Sequence, residues 1–177
     1  MDRVLITGAL GQLGTTLQKV LYKKGDFVIA TDIRDATKKI ECQYEKLDVL
    51  SYDELQRIVE KYEINVIYHL VAILSAKGEK NPFHSWKINM ETFQNIVDVA
   101  IKCNIKKIFW PSSIAVFSKE SNLKFVPQNT LMNPTTIYGV SKLAGEKLMN
   151  YYFDKFQLDI RSIRFPGIIS MGIKPGG

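Results

Sequence analysis

The stretch Thr7-Gly8-Ala9-Leu10-Gly11-Gln12-Leu13-Gly14 follows directly on the apolar run Arg3 to Thr7 and opens a helical pattern, Gln12 to Lys23. Glycines in such a turn let the backbone approach a pyrophosphate, while the start of the helix presents free N–H groups and a partial positive charge. The spacing is Gly-x-x-Gly-x-x-Gly, looser than the Gly-x-Gly-x-x-Gly of many dinucleotide sites. Three glycines in seven residues also make an ordinary turn, so context decides: strand before, helix after, and Asp32 closing the next strand, 18 residues beyond Gly14. A carboxylate there can accept both hydroxyls of an adenosine ribose and would repel a 2′-phosphate, which points to NAD; Arg34, two residues on, could instead serve a phosphate.

Outward from this loop, strand-like and helix-like patterns alternate along the chain. Phe27 to Thr31, a weak Gln43 to Leu47, Asn65 to Leu70, Lys106 to Trp110 and Leu158 to Phe165 read as further strands. Between them lie helical patterns. Gln12 to Lys23 carries Leu13, Leu17, Val20 and Leu21 on one face, and Ser51 to Tyr62 has Ser51 as N-cap with Glu54 three residues on. Trp86 to Lys102 carries Ile88, Phe93, Ile96, Val97 and Ala100, and Ile137 to Phe156 is long. A loop holds Gly78 and Pro82, and Ile114 to Asn133 is a long excursion without helical periodicity. Strands apolar almost throughout, each separated by a helix, predict a Rossmann-like, doubly wound parallel sheet of about six strands with helices on both faces. Ligands of such a sheet bind beyond the carboxyl ends of its strands.

Composition narrows the field. The 177 residues, 46% hydrophobic and 24% charged, suit one folded domain able to remove roughly 70% of its unfolded surface from water. Two cysteines, Cys42 and Cys103, are too few for a disulfide framework and fit a reducing, soluble compartment such as the cytoplasm. His69 and His84 stand at ligand spacing neither from each other nor from a cysteine, so no metal site is expected. The net charge of +6 comes with 24 basic residues, mostly scattered lysines without interleaved aromatics, a solvated surface rather than a nucleic-acid face. The longest apolar run, Val66 to Leu74, falls well short of the roughly 20 residues of a membrane span, and the N-terminus leads straight into a strand, so neither membrane nor targeting segment is expected.

Tyr138 and Lys142 are four apart at the start of the long helix and share a face. Lowering a phenol from pKa about 10 to near 7 needs roughly 4 kcal/mol of preference for the phenolate. An ammonium one turn away and the positive end of a helix both act in that direction, making a general base for an alcohol proton. Tyr151 and Lys155 match the same pattern, but thirteen residues place Tyr151 about 220° around the helix, so both pairs cannot serve one site. Tyr138 is preferred for its place near the helix start and for Ser112-Ser113 ending the fifth strand, where a hydroxyl could hold a substrate oxygen. His69 reads as a buried imidazole satisfied by backbone, and Trp86, Phe93 and Trp110 as core.

Taken together, Thr7-Gly8-x-x-Gly11-x-x-Gly14, Asp32, Asp48-Val49, His69-Leu70-x-Ala72, Asn89, Ser112-Ser113 and Tyr138-x-x-x-Lys142 resemble the extended short-chain dehydrogenase/reductase family. Within it, Ile73 to Pro82 and Arg164 to Ser170, with the terminal Lys174-Pro175-Gly176-Gly177, resemble the NAD-dependent L-threonine 3-dehydrogenases of the short-chain type. The resemblance implies that Gly8, Gly11, Gln12, Leu13 and Gly14 hold the pyrophosphate of NAD and Asp32 its adenosine ribose. It implies that Asp48 and Val49 flank the adenine, and that Leu70, Ala72, Asn89 and Ile168 line the cofactor channel. Tyr138 would take the hydroxyl proton of L-threonine as C3 is oxidised to give 2-amino-3-oxobutyrate. Lys142 would hold the nicotinamide ribose, Ser113 would orient the hydroxyl with Ser112 beside it, and Ser75 would touch substrate. Val71 and Ser118 depart from a usual alanine and glycine. Family members continue past Gly177 into a substrate-covering region and commonly pair as homodimers, so residues 1–177 read as the cofactor domain of a longer enzyme. The alternatives are a nucleotide-sugar epimerase or dehydratase of the same family, against which Leu74 to Asn81 argues, and a non-catalytic NAD-binding module.

Overall fold

A computed structural model describes residues 1–37, 39–117, 126–128 and 130–168 of the chain. Ser118 and residues 169–177 lie outside the described residues. Strands β1 (Arg3–Thr7), β2 (Phe27–Asp32), β3 (Gln43–Lys46), β4 (Val66–His69), β5 (Lys107–Phe109) and β7 (Ile160–Arg161) form one sheet in the order β3-β2-β1-β4-β5-β7. Every pairing is parallel. The order reverses between β1 and β4, so the crevice beyond their carboxyl ends is where a ligand of this sheet would sit.

The central strands alternate between two cores. Leu5, Ile29 and Ile67 face the cluster that also takes side chains of α2 (Tyr52–Lys61) and α5 (Thr92–Lys102). Val4, Ile6, Val28, Ala30 and Val66 face the other, with Leu21 of α1 (Gln12–Lys24). This two-sided burial is why the strands read as continuous apolar runs. Among the described residues no helix is long and apolar enough to cross a membrane.

Several expectations need correction. On α1 the buried positions are Gly14, Gln18 and Leu21, whereas Val20 is exposed. Gly14 must face inward, because a Cβ there would stand 2.6 Å from the Cα of Ala9. That rotation carries Gln18 inside, where its amide donates to the carbonyl of Ala9 at 3.1 Å. Ser51 occupies the N-cap of α2 but its hydroxyl makes no capping bond. The region of Gly78 and Pro82 holds two short helices, α3 (Ser75–Gly78) and α4 (Pro82–Trp86), and Trp86 is exposed rather than core. A π-helical turn over Lys87–Glu91 joins α4 to α5.

The last strand divides as well. Trp110 N donates to Arg161 O and Ser112 N donates to Ile163 O, both at 2.9 Å, and Pro111 between them is the residue whose N–H this pairing does not use. β6 (Ser112–Ser113) then pairs with β8 (Arg164–Phe165) in the register that β5 and β7 set, as a short two-stranded extension.

Over this seam lies α6 (Ile137–Phe156), and Gly145 is what lets it come close. A Cβ at Gly145 would fall inside the indole ring of the buried Trp110. Glycine to alanine within a helix ordinarily stabilises by roughly 0.5–1 kcal/mol. Gly145→Ala should instead destabilise by about 1–3 kcal/mol through overpacking. Urea denaturation reads the sign, and a gain in stability would show that the helix can ride further out.

Candidate active site

The glycine turn enters the site through backbone geometry. Gly8 sits at φ 71°, where a side chain is strained, and a Cβ at Gly11 would stand 3.1 Å from the Gly8 carbonyl. No side chain caps the first turn of α1 from Gly11. Gln12 reaches across the turn and donates to the carbonyl of Ile168 at 3.3 Å, joining two residues that the sequence assigns to the cofactor. A cavity of about 240 Å³ opens beside the turn, lined by Gly8, Gly11, Asp32, Asp48, Val49, Leu70 and Ala72 among others. Gly14 acts through close packing against Ala9.

Asp32 is 6% exposed and already partnered. It accepts from the Leu10 amide at 3.1 Å, and Arg34 grips it with Nε at 2.9 Å and Nη2 at 3.1 Å. Burial pushes the Asp32 carboxyl up, but the bonds from Arg34 and from the Arg34 and Leu10 amides hold it below its ordinary value. The sequence left Arg34 open to a phosphate as the alternative to NAD; here its guanidinium closes on the acid. A larger cavity, about 460 Å³, lies on the far side of Arg34 between α1 and the β2–β3 connection, away from the catalytic pair.

Two buried polar residues hold the floor. His69 bonds Thr7 Oγ1 through Nδ1 at 2.7 Å and Thr92 Oγ1 through Nε2 at 3.0 Å, so side chains and not backbone satisfy it. The Thr92 hydroxyl donates to Ile88 O, and must therefore accept from an Nε2–H, which leaves Nδ1 to accept from Thr7. Burial, then the nearby Lys142, pushes the imidazole down to about 3, so it stays neutral. Asn89, on the π-helical turn, is 1% exposed and grips Ile73 at both N (2.7 Å) and O (3.1 Å). Its amide also donates to Ser141 Oγ on α6. Asn89 thus shapes the wall by fixing the backbone that follows Ala72.

At the start of α6, Thr136 caps the helix through Gly139 N, and Glu79 at the end of α3 accepts from Ile137 N at 2.8 Å. The α3 turn carrying Ser75 is thereby tied to the helix carrying Tyr138. The Tyr138 phenol lies beside Ser113, whose Oγ accepts from Ala115 N at 3.1 Å, and Lys142 donates to Pro111 O at 2.7 Å with Nζ 4.1 Å over the Trp110 ring. Ser112, by contrast, is turned inward and donates to Glu146 at 2.6 Å. Tyr151 and Lys155 bond each other on exposed surface. The electrostatics depart from expectation. Burial pushes the Tyr138 phenol above its ordinary value, with the Ser113 bond opposing, and burial lowers Lys142 to about 7. Among the described residues no group of three or more His, Cys, Asp or Glu could hold a metal ion.

A glycine turn and a buried acid stand at one half of this doubly wound parallel sheet, and Tyr138, Ser113 and Lys142 at the other, along the crevice in which such sheets bind their ligands. The model of the NAD dependent epimerase/dehydratase family matches residues 4–176, and the chain belongs to that family. An uncharacterized epimerase/dehydratase of Staphylococcus haemolyticus (strain JCSC1435) is 44% identical over 183 aligned residues, covering 100% of this chain and 57% of the relative. The chain therefore spans little more than half of the curated relatives it matches. Among solved structures, the holo form of a GalE-like L-threonine dehydrogenase from Cupriavidus necator superposes with a TM-score of 0.94 at 38% identity, covering 99% of this chain and 57% of that one. The L-threonine dehydrogenase of Clostridium difficile gives 0.93 at 40%, covering 100% and 57%. A UDP-glucose 4-epimerase from Brucella ovis, at 21% identity and TM-score 0.85, shares the fold.

The state of Lys142 carries a testable sign. Below pH 7 folded and unfolded chains both hold its proton, and the cost of burying the charge is complete. Between about 7 and its unfolded value of 10.5 only the unfolded chain holds it, so stability rises with pH. Lys142→Met should be the more stable variant at neutral pH. Its advantage should shrink by about 1.4 kcal/mol per pH unit across that window. Urea titrations of both proteins at several pH values check it; a constant difference would mean that Lys142 stays charged when buried.

Proposed function

We propose that this chain is the cofactor-binding and proton-transferring part of an NAD-dependent L-threonine 3-dehydrogenase. The observation that carries the chemistry is the Tyr138 phenol beside Ser113, with Lys142 four residues along on the same helix face, beyond the carboxyl ends of the sheet. The substrate assignment is supported by 35–43% identity to solved threonine dehydrogenases, against 21% for the epimerases.

The glycine cradle and Asp32 fit a dinucleotide: a Cβ at Gly11 would crowd the Gly8 carbonyl, and the ribose acid faces the cavity beside that turn. Gly8, Gly11, Gln12 and Leu13 would hold the pyrophosphate, Asp32 the adenosine ribose, and Lys142 the second ribose. NAD, when bound, supplies the hydride acceptor for C3 of threonine. Ser113 orients the substrate hydroxyl towards Tyr138, whose oxygen takes the proton. Lys142 favours the phenolate when charged, and it keeps two N–H donors besides the one given to Pro111 O. Ser75, on the α3 turn tied through Glu79 to α6, lies on the element best placed to meet the substrate.

Calorimetric titration of the chain with NAD, followed by NADH formation with L-threonine or a UDP-sugar, tests this reading. NAD binding with threonine turnover is expected. Binding without turnover would keep the cofactor assignment and remove the threonine step from this chain, and turnover of a UDP-sugar alone would overturn the substrate class. Tyr138→Phe should bind NAD as tightly as the parent and lose on the order of 100-fold or more in kcat. An unchanged kcat would remove Tyr138 from the proton transfer.

A further inference from the structure

The face of α6 that carries Tyr138 and Lys142 continues, one turn on, to Glu146. Each of the three side chains meets one residue of the short run Pro111–Ser113. Tyr138 lies beside Ser113, Lys142 donates to Pro111 O at 2.7 Å, and Glu146 accepts from the Ser112 hydroxyl at 2.6 Å. Resting on the function proposed above, we infer that Glu146, locked by Arg164, is a positioning residue that sets the direction of Ser113 through Ser112.

Strand β6 is short and held at few points. It is two residues long and pairs with β8, and just beyond it Ala115 N donates to Ser113 Oγ at 3.1 Å. Adjacent side chains on a strand point to opposite faces, so fixing Ser112 inward fixes Ser113 outward, towards Tyr138. Ser112 is 2% exposed and Glu146 is its hydroxyl's acceptor.

Glu146 is itself immobilised. Arg164 donates to Oε1 through Nε at 2.9 Å and to Oε2 through Nη2 at 2.8 Å, a two-point grip between side chains that are 16% and 15% exposed. Arg164 stands opposite Ser112 in the β6–β8 register. It also donates to Gln128 O at 3.2 Å and lies 5.2 Å over the Phe117 ring, which fixes its own position. The planar fork of arginine suits this geometry where lysine would not. An ion pair so placed could serve stability alone; its bond to the residue beside Ser113 gives it a route to the reacting oxygen.

Ser112→Ala tests the inference with least disturbance, since it removes one hydroxyl and leaves both charges paired. In the chain labelled with ¹³C at tyrosine Cζ, the Tyr138 resonance, identified by its loss in Tyr138→Phe, reports the phenol's polar surroundings, Ser113 among them, without any turnover. We expect Ser112→Ala to move that resonance towards a phenol with no protein partner, leaving Tyr151 and Tyr44 unmoved and the melting temperature near the parent's. Where the parent turns over threonine, kcat should fall on the order of tenfold with the NAD dissociation constant unchanged. Glu146→Gln should move the Tyr138 resonance in the same direction, with some loss of melting temperature. An unmoved Tyr138 resonance in both variants would overturn the positioning role. A moved resonance in a parent protein that does not oxidise threonine would uphold the positioning and overturn the substrate reading instead.

Discussion

The contact of α6 with Trp110, with no side chain between helix and ring at Gly145, sets the geometry of everything on that side of the sheet. It brings the helix near enough for Lys142 to become 2% exposed, stretched over the indole with its ammonium on a backbone carbonyl. The same approach brings Lys142 to the carbonyl of Pro111 and Tyr138 beside Ser113. Phe93 backs the same indole, with ring centroids 4.8 Å apart, so the hydrophobic core and the reactive edge share one ring. Packing here is a precondition of the chemistry, because a lysine takes an unusual protonation state only where water is excluded.

The site divides its charges by how they are partnered. Bases are buried without carboxylates and stay neutral or become easily neutralised: His69 between two threonines, Lys142 over Trp110. The acids at this edge, Asp32 and Glu146, are each paired with an arginine. Burial would raise Asp32 and Glu146, yet the forks of Arg34 and Arg164 and their further hydrogen bonds keep both below their ordinary values. The result is an edge where fixed negative charge is already compensated and the groups able to exchange protons are those without a fixed counter-ion.

Much of this was legible in the sequence, and the parts that were not share a cause. The glycine turn, the alternation of strands and helices, Asp32 and the Tyr138–Lys142 face are local patterns, fixed by spacing alone. What escaped depends on long-range packing. Val20 reads as core until Gly14 is seen pressed on Ala9, which rotates α1 and carries Gln18 inside. The run Leu158 to Phe165 reads as one strand, and only its partners divide it into β7 and β8. Ser112 and Ser113 are indistinguishable as letters; the alternation of the strand and the acceptor at Glu146 separate them. A signal did exist for Glu146, which repeats the four-residue step from Tyr138 to Lys142. The raised Tyr138 pKa has no local signature, because desolvation belongs to the whole neighbourhood.

The Arg34–Asp32 pair bears on how such a site would choose its cofactor on the proposed reading. Asp32 presents acceptors only, and three of the bonds it accepts come from Arg34: two from the guanidinium and one from the backbone amide. A ribose with both hydroxyls free brings two donors, and could replace the guanidinium bond for bond while Leu10 N and Arg34 N stay in place. A 2′-phosphate brings acceptors and negative charge. It could use the guanidinium, but only by leaving a carboxylate that is 6% exposed without its cation and beside a second anion. The arginine side chain, 61% exposed, can swing into water at little cost, whereas the acid cannot move. Discrimination therefore follows from the asymmetry of burial within the pair more than from the presence of an acid alone.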